Sequence, residues 1–126
     1  MMKSILALGA ENKTTFSAIC GGRIHTSGPV EDLADLNSLT RFEKDIRDYI
    51  NKKKIVPDCI VCDLHPDYNS ARLAEIFRGE HKNAKLLKVQ HHFAHIVACM
   101  ADNDIDEEVI GVSFDGTGYG LSLIHI

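Results

Sequence analysis

The sequence predicts an α/β domain, a mixed sheet with helices packed on it in the order βββαβαβαβ. Two observations predict it. Up to Gly28-Pro29 the chain carries short apolar or β-rich runs separated by glycines, with no helical period. From Leu39 onward, apolar residues spaced three and four apart alternate with compact strand-like runs, which is the pattern of helices alternating with buried strands.

Ser4 to Leu8 is an apolar run ending at Gly9-Ala10, a strand and its turn. Thr15–Cys20 and Arg23–Thr26 flank Gly21-Gly22, the signature of a β-hairpin, and Gly28-Pro29 then breaks the chain. These three strands form an antiparallel meander. Leu39, Phe42, Ile46, Tyr49 and Ile50 share one helix face, Thr40 to Glu43 fits a capping box near its start, and Lys52 to Lys54 lies at its dipole-favoured end. Cys59 to Asp63 is a buried strand stopped at His65-Pro66. A second helix starts near Ser70, turns Leu73, Ile76 and Phe77 inward and ends at Gly79. Lys85 to Val89 is a further strand, His92 to Asn103 a third helix with Ile96, Val97 and Met100 as its apolar residues, and Val109 to Phe114 a last strand entering a Gly-rich loop. A meander followed by β–α alternation is the layout of one lobe of an actin-like or ribonuclease-H-like fold.

The 126 residues, 44% hydrophobic and 25% charged, suffice for one domain with a real core. The formal net charge of -4 argues against a nucleic-acid or anionic-membrane binder, both of which need a basic surface. No apolar run approaches the roughly 18–20 residues of a membrane span, and the N-terminus is no signal peptide. Four cysteines in a chain of this length make no disulfide framework, so a reducing, cytoplasmic setting is expected. Cys59 and Cys62 tempt a redox or zinc reading. Positions three apart on a strand face opposite ways, no second pair accompanies them, and both are expected to be buried small hydrophobes. Cys99 is expected to be a core residue one turn beyond His95, with a supporting part near a metal as the alternative.

The densest chemical feature is Val89 to His95, which holds three of the seven histidines within five residues. His91 and His95 are four apart and share a helix face, so two imidazoles can hold one metal ion; His92 lies off that face. A bare pair of this kind is also met at ordinary helix starts, and two histidines do not complete a site. Its place at a strand-to-helix junction, where open α/β sheets put their sites, favours the functional reading. Asp115 is the local candidate for a third ligand, and imidazoles with a carboxylate suit zinc or ferrous iron. Gly116, Gly118 and Gly120 leave backbone N–H groups open to phosphate oxygens, although many such loops are only turns. The turn from Gly9 to Thr15, with Lys13 and the hydroxyls of Thr14 and Thr15, is a second phosphate candidate or simply a polar hairpin tip. Asp63 either lines the same cleft or caps a turn; His65 and His92 are the general-base candidates.

Four strings in order, LALGAENKTTF, CDLHPDYNS, VQHHFAHIVACMADN and VIGVSFDGTGYG, resemble the C-terminal catalytic region of the HypF carbamoyltransferases of [NiFe]-hydrogenase maturation, from Ser4 to Gly120. Phe93 stands where a third consecutive His is common and Asn12 where an apolar residue is common; neither is a proposed ligand. The resemblance implies an actin-like ATPase fold. It implies carbamoyl transfer from carbamoyl-adenylate, made from carbamoyl phosphate and ATP, to the C-terminal Cys thiol of a HypE-like acceptor protein. It also carries over His91, His95 and Asp115 as ligands of zinc or iron, and Lys13, Thr14, Gly116, Thr117, Gly118 and Gly120 as phosphate-facing residues.

By the same resemblance, 1–108 is the first lobe of the catalytic region and 109–120 the first strand and Gly-rich loop of a truncated second lobe that supplies a further acidic ligand and most of the adenosine pocket. Residues 121–126 leave the family pattern, and CTG TCT CTT ATA CAC ATC, one coding of them, is a transposon-end adapter; the expectation is a non-native tail. The alternatives are another carbamoyl- or threonylcarbamoyl-transferase of the same superfamily, and a non-catalytic metal-binding interaction module.

Overall fold

The computed structural model describes residues 3–115. Along them run β1 (Ile5–Leu8), β2 (Phe16–Cys20), β3 (Arg23–Thr26), α1 (Leu36–Lys52), β4 (Cys59–Asp63), α2 (Asn69–Glu80), β5 (Lys85–Val89) and α3 (His91–Asp102). The strands form one mixed sheet in the order β3-β2-β1-β4-β5. β1, β2 and β3 pair antiparallel, as the expected meander, and β1–β4 and β4–β5 pair parallel. The hairpin between β2 and β3 turns on Gly21 and Gly22, both at positive φ (59° and 77°), a backbone state that costs glycine little.

One face of the sheet makes the core. Leu6 and Leu8 of β1, Phe16 and Ala18 of β2, and Ile60 and Cys62 of β4 alternate inward along their strands. α1 covers them with Phe42, Ile46 and Ile50, and α2 with Ala71, Leu73, Ala74 and Phe77, forming one cluster. Leu39 and Tyr49 pack at its margin, so the helix face read from spacing is the face that buries. The two helices are joined on their outer side by Arg47. Its guanidinium lies 4.8 Å from the Phe77 ring centroid and makes two hydrogen bonds to Glu80, at 2.7 and 2.8 Å.

Five local expectations need correction. α1 starts at Leu36, ahead of the expected capping box, because Asp35 caps it: its carboxylate accepts from the Ser38 N–H at 3.1 Å. Ile76 is 52% exposed, because Ala71, Ala74 and Phe77 define the buried stripe of α2 and Ile76 falls beside it. α2 also runs through Gly79 to Glu80. Cys99 is exposed, because α3 buries none of its residues. The expected strand Val109–Phe114 is absent among the described residues. A strand needs a backbone ladder, and this segment instead lies along α3, whose backbone groups are already paired within the helix. Gly111 sits so close to α3 that a Cβ there would come within 2.7 Å of the Ile96 side chain, while Ile110 and Phe114 are almost fully exposed. The Gly116–Gly120 loop and the tail 121–126 lie outside the described residues.

The cysteine pair is resolved by its geometry. Cys62 is buried at 2% exposure, and Cys59, on the opposite face of β4, is half-buried. Burial pushes the Cys62 thiol up to about 11, so it stays protonated at neutral pH. At pH 8, iodoacetamide should therefore modify the exposed Cys20 and Cys99 and leave Cys62 untouched until the chain is denatured; peptide mass mapping reads the order, and early modification of Cys62 would contradict the packing. Phe77→Ala removes a ring with no exposed surface from the centre of the core and should cost about 3–5 kcal/mol in urea unfolding.

Candidate metal centre

The site stands where the parallel strands end. β4 and β5 run in register from Cys59 opposite Lys85 to Asp63 opposite Val89, so both strands finish on one line. The Leu64 N–H donates to Val89 O at 2.9 Å and carries the pairing one step further. β5 then passes through Gln90 straight into α3. Gln90 is the N-cap, its side-chain oxygen accepting from the Phe93 N–H at 2.8 Å. That fixes the first turn of α3, and His91 therefore projects over the end of β4.

His91, His95 and Asp115 converge, with one ligand atom from each within 4.8 Å of the others. His91 Nε2 lies 2.9 Å and His95 Nε2 3.0 Å from the same Asp115 oxygen, Oδ2, and the two Nε2 atoms are 3.1 Å apart. The rings meet edge to face, 4.7 Å between centroids. Ligand bonds of about 2.0–2.1 Å set the donors of a tetrahedral ion roughly 3.3 Å apart, so a small opening of this triangle admits one. Three donors of this kind leave room for further ligands, and two imidazoles with a carboxylate suit zinc or iron. The surroundings are acidic. Tyr68, beside the cluster, has its phenol held above the ordinary range by burial and then by Asp63, Glu11 and Asp115, a field that favours a cation.

Asp63 is the site residue whose part the sequence left open. Its Oδ1 accepts from the His65 N–H at 2.9 Å, which is the turn-capping role, and its Oδ2 lies 2.7 Å from His91 Nδ1, which places it in the cleft as well. Both readings hold, because a carboxylate has two oxygens. Gln90 was missed outright, since Gln is not a favoured capping residue.

The other candidates are placed as follows. His65 accepts from the Asp67 N–H at Nδ1 (3.2 Å) and stacks on Tyr68 with ring centroids 4.2 Å apart; that bond leaves the proton of the neutral ring on Nε2, which makes it a donor there. His92 Nδ1 lies 3.1 Å from the Gln90 side-chain nitrogen, and its ring borders a cavity of about 470 Å³ between α3 and the 109–115 segment, with Phe93, Ile96, Met100 and Val109. Thr14 is buried and its hydroxyl donates inward to Ala10 O at 2.7 Å, so this hydroxyl braces the turn while Lys13, at φ 48°, is its exposed cation. Glu11 ties the same turn to the start of α2, accepting from the Asn69 N–H (2.9 Å) and its side-chain amide (3.1 Å). The turn thus stands beside the strand ends. Gly116, Thr117, Gly118 and Gly120 lie outside the described residues.

Comparison with known proteins identifies the family. Residues 1–102 match the family described as the HypF Kae1-like domain. Carbamoyltransferase HypF of Synechocystis is 37% identical over 120 residues, covering 94% of this chain and 15% of that protein. Carbamoyltransferase HypF of Rhizobium leguminosarum is 32% identical over 118 residues, covering 93% and 15%. This chain therefore spans less than a fifth of these relatives. Among solved structures, full-length HypF in a phosphate- and nucleotide-bound form superposes with a TM-score of 0.83 at 34% identity, covering 94% of this chain and 18% of that one. HypF of T. kodakarensis superposes at 0.85 with the same identity, covering 94% and 16%. YeaZ of Pseudomonas aeruginosa, at 13% identity and a TM-score of 0.57, shares the fold alone. With its sheet order, its matched domain and a third of its residues in common with these proteins, the chain belongs to the HypF family.

Proposed function

We propose that this chain is the metal-bearing lobe of a carbamoyltransferase that moves a carbamoyl group from carbamoyl-adenylate to the C-terminal Cys thiol of a HypE-like protein, the adenylate being made from carbamoyl phosphate and ATP. The single observation that carries the reading is the convergence of His91, His95 and Asp115 at the ends of the parallel strands in a chain of this family. In this reading 1–108 is the first lobe, 109–120 opens the second, and 121–126 is foreign to the domain.

The reaction is acyl transfer. The acceptor sulfur bonds to the carbamoyl carbon, the bond from that carbon to the adenylate phosphate oxygen breaks, AMP leaves with the electron pair, and the thiol proton is released. A zinc or ferrous ion, when bound, supplies Lewis acidity toward the carbamoyl oxygen and lowers the pKa of the incoming thiol. The chain's own residues hold that ion: His91 and His95 from one helix face, which the helix itself keeps aligned, and Asp115 from the segment that crosses α3. Lys13 and the amides of Gly116, Gly118 and Gly120, with Thr117, are assigned to the nucleotide phosphates; Thr14 serves by bracing the turn that carries Lys13. His65 and His92 are the general-base candidates; each has its Nδ1 engaged, by the Asp67 N–H and by the Gln90 side-chain amide.

The setting is cytoplasmic in this proposal, in keeping with four cysteines that are all free. Among the described residues no helix is long and apolar enough to cross a membrane.

The test is made in the full-length protein carrying this segment. His91→Ala and His95→Ala should each lose bound metal and, together with it, transfer to the acceptor thiol, read as a mass increment on the acceptor, while adenylate formation continues. Undiminished transfer by either variant would overturn the metal reading. The 126-residue chain alone should transfer nothing detectable in the same assay. In this reading the second lobe supplies a further acidic ligand and most of the adenosine pocket, so one lobe alone positions neither substrate, and positioning accounts for up to about 7–11 kcal/mol of barrier in well-oriented systems. Robust transfer by the isolated chain would show that this lobe suffices.

A further inference from the structure

The His91 ring has two nitrogens, and only one faces the cluster. Nε2 points at Asp115 and His95, and Nδ1 points back at Asp63 Oδ2, 2.7 Å away. A neutral imidazole carries its proton on one nitrogen only, and the protonated one cannot ligate a metal. We infer that Asp63 is a positioning residue that selects the metal-ligating form of His91, accepting a hydrogen bond from Nδ1–H and leaving the Nε2 lone pair aimed into the cluster. The inference rests on the metal reading above and deepens it.

Three features make Asp63 suited to this and to little else. It is buried, with its side chain 6% exposed, so its carboxylate reaches solvent poorly and must find its partners within the protein. Its other oxygen, Oδ1, is anchored by the His65 N–H, which holds the carboxylate's rotation and points Oδ2 across the strand end. It is also the last residue of β4, paired with Val89 two residues before His91, so the sheet register sets the distance between carboxylate and ring. Turn capping accounts for Oδ1 alone. The short contact from Oδ2 to a half-buried ring spans 28 positions of sequence and needs its own reason. Carboxylates behind ligating imidazoles fix ring orientation and raise the basicity of the ligating nitrogen, and their loss weakens metal binding by about 10–100-fold.

The experiment measures cobalt(II) affinity of the full-length protein by chelator competition, with the thermal midpoint of the metal-free protein as a check on folding. Asp63→Asn keeps shape and can still cap the turn, but its amide can donate to Nδ1 and so favours the wrong tautomer. It should weaken cobalt binding by about 10–100-fold with little change in the metal-free midpoint. In a His91→Ala background the same change should produce no further loss, because Asp63 acts through that ring. Additive losses in the two backgrounds, or unchanged affinity in the single variant, would overturn the inference. If His91→Ala, His95→Ala and Asp115→Ala all leave cobalt affinity unchanged, the metal reading fails and this one with it; if they weaken it and Asp63→Asn does not, only this inference falls. A measurement on the unaltered protein guards against a variant that does not fold. With zinc bound, the ¹⁵N spectrum of histidine-labelled protein should show the His91 proton on Nδ1, and a proton on Nε2 would overturn the assignment.

Discussion

β4 and β5 pair in parallel, residue for residue, from Cys59 opposite Lys85 to Asp63 opposite Val89, and the site depends on that register. Parallel strands end side by side, so the carboxylate at the end of one lies beside the helix that starts after the other. A slip of one residue would turn Asp63 to the opposite face of the sheet and take His91 from its partner. The register is held by Ile60 and Cys62, which must face the core shared with α2. Hydrophobic burial far from the histidines thus sets where the histidines stand.

The helices contribute in different ways. α1 and α2 are amphipathic and cover one face of the sheet, and the Arg47–Glu80 pair ties them outside the core. α3 buries nothing, and its chemistry lies in geometry internal to the helix. Positions four apart keep His91 and His95 together, and Gln90 at the cap decides where the helix begins. Phe93, Val97, Ile110, Val112 and Phe114 leave apolar surface exposed around this helix and the segment beside it. The part of the domain with the densest cluster of histidines and carboxylates is therefore the part with the least core of its own. Its anchor is the pair of contacts His91 makes, with Asp63 on the sheet side and Asp115 on the outer side.

What a reader of the sequence could see was whatever repeats locally. The face of α1 was legible because Phe42, Ile46 and Ile50 recur with the helical period, and β4 and β5 because compact apolar runs sit between turn residues. The His91/His95 pair was legible for the same reason, since its spacing is that of one helical turn. The start of α1 was not, because an Asp at 35 and a Thr at 40 both make acceptable caps and the path of the chain from Val30 to Leu33 into the core chooses between them. Ile76 misled because it falls beside a stripe that Ala71 and Ala74 define, and small residues give a weak periodic signal. Val109 to Phe114 misled because apolar residues suited to a strand form one only against a partner's free N–H and C=O groups, and α3 offers none.

The sequence by itself determined the class of fold, the meander, the two core helices and the residue types able to hold a cation. These follow from periodicity, glycine turns and side-chain chemistry, all of which act over a few residues. Only the tertiary structure decided that Asp115 reaches both imidazoles, 24 and 20 positions upstream, and that Asp63 answers the other nitrogen of His91 from 28 positions away. The same structure exposed Cys99 and left Cys59 half-buried. Such pairings depend on strand order and register, which are settled when the whole core packs at once and are written in no single segment.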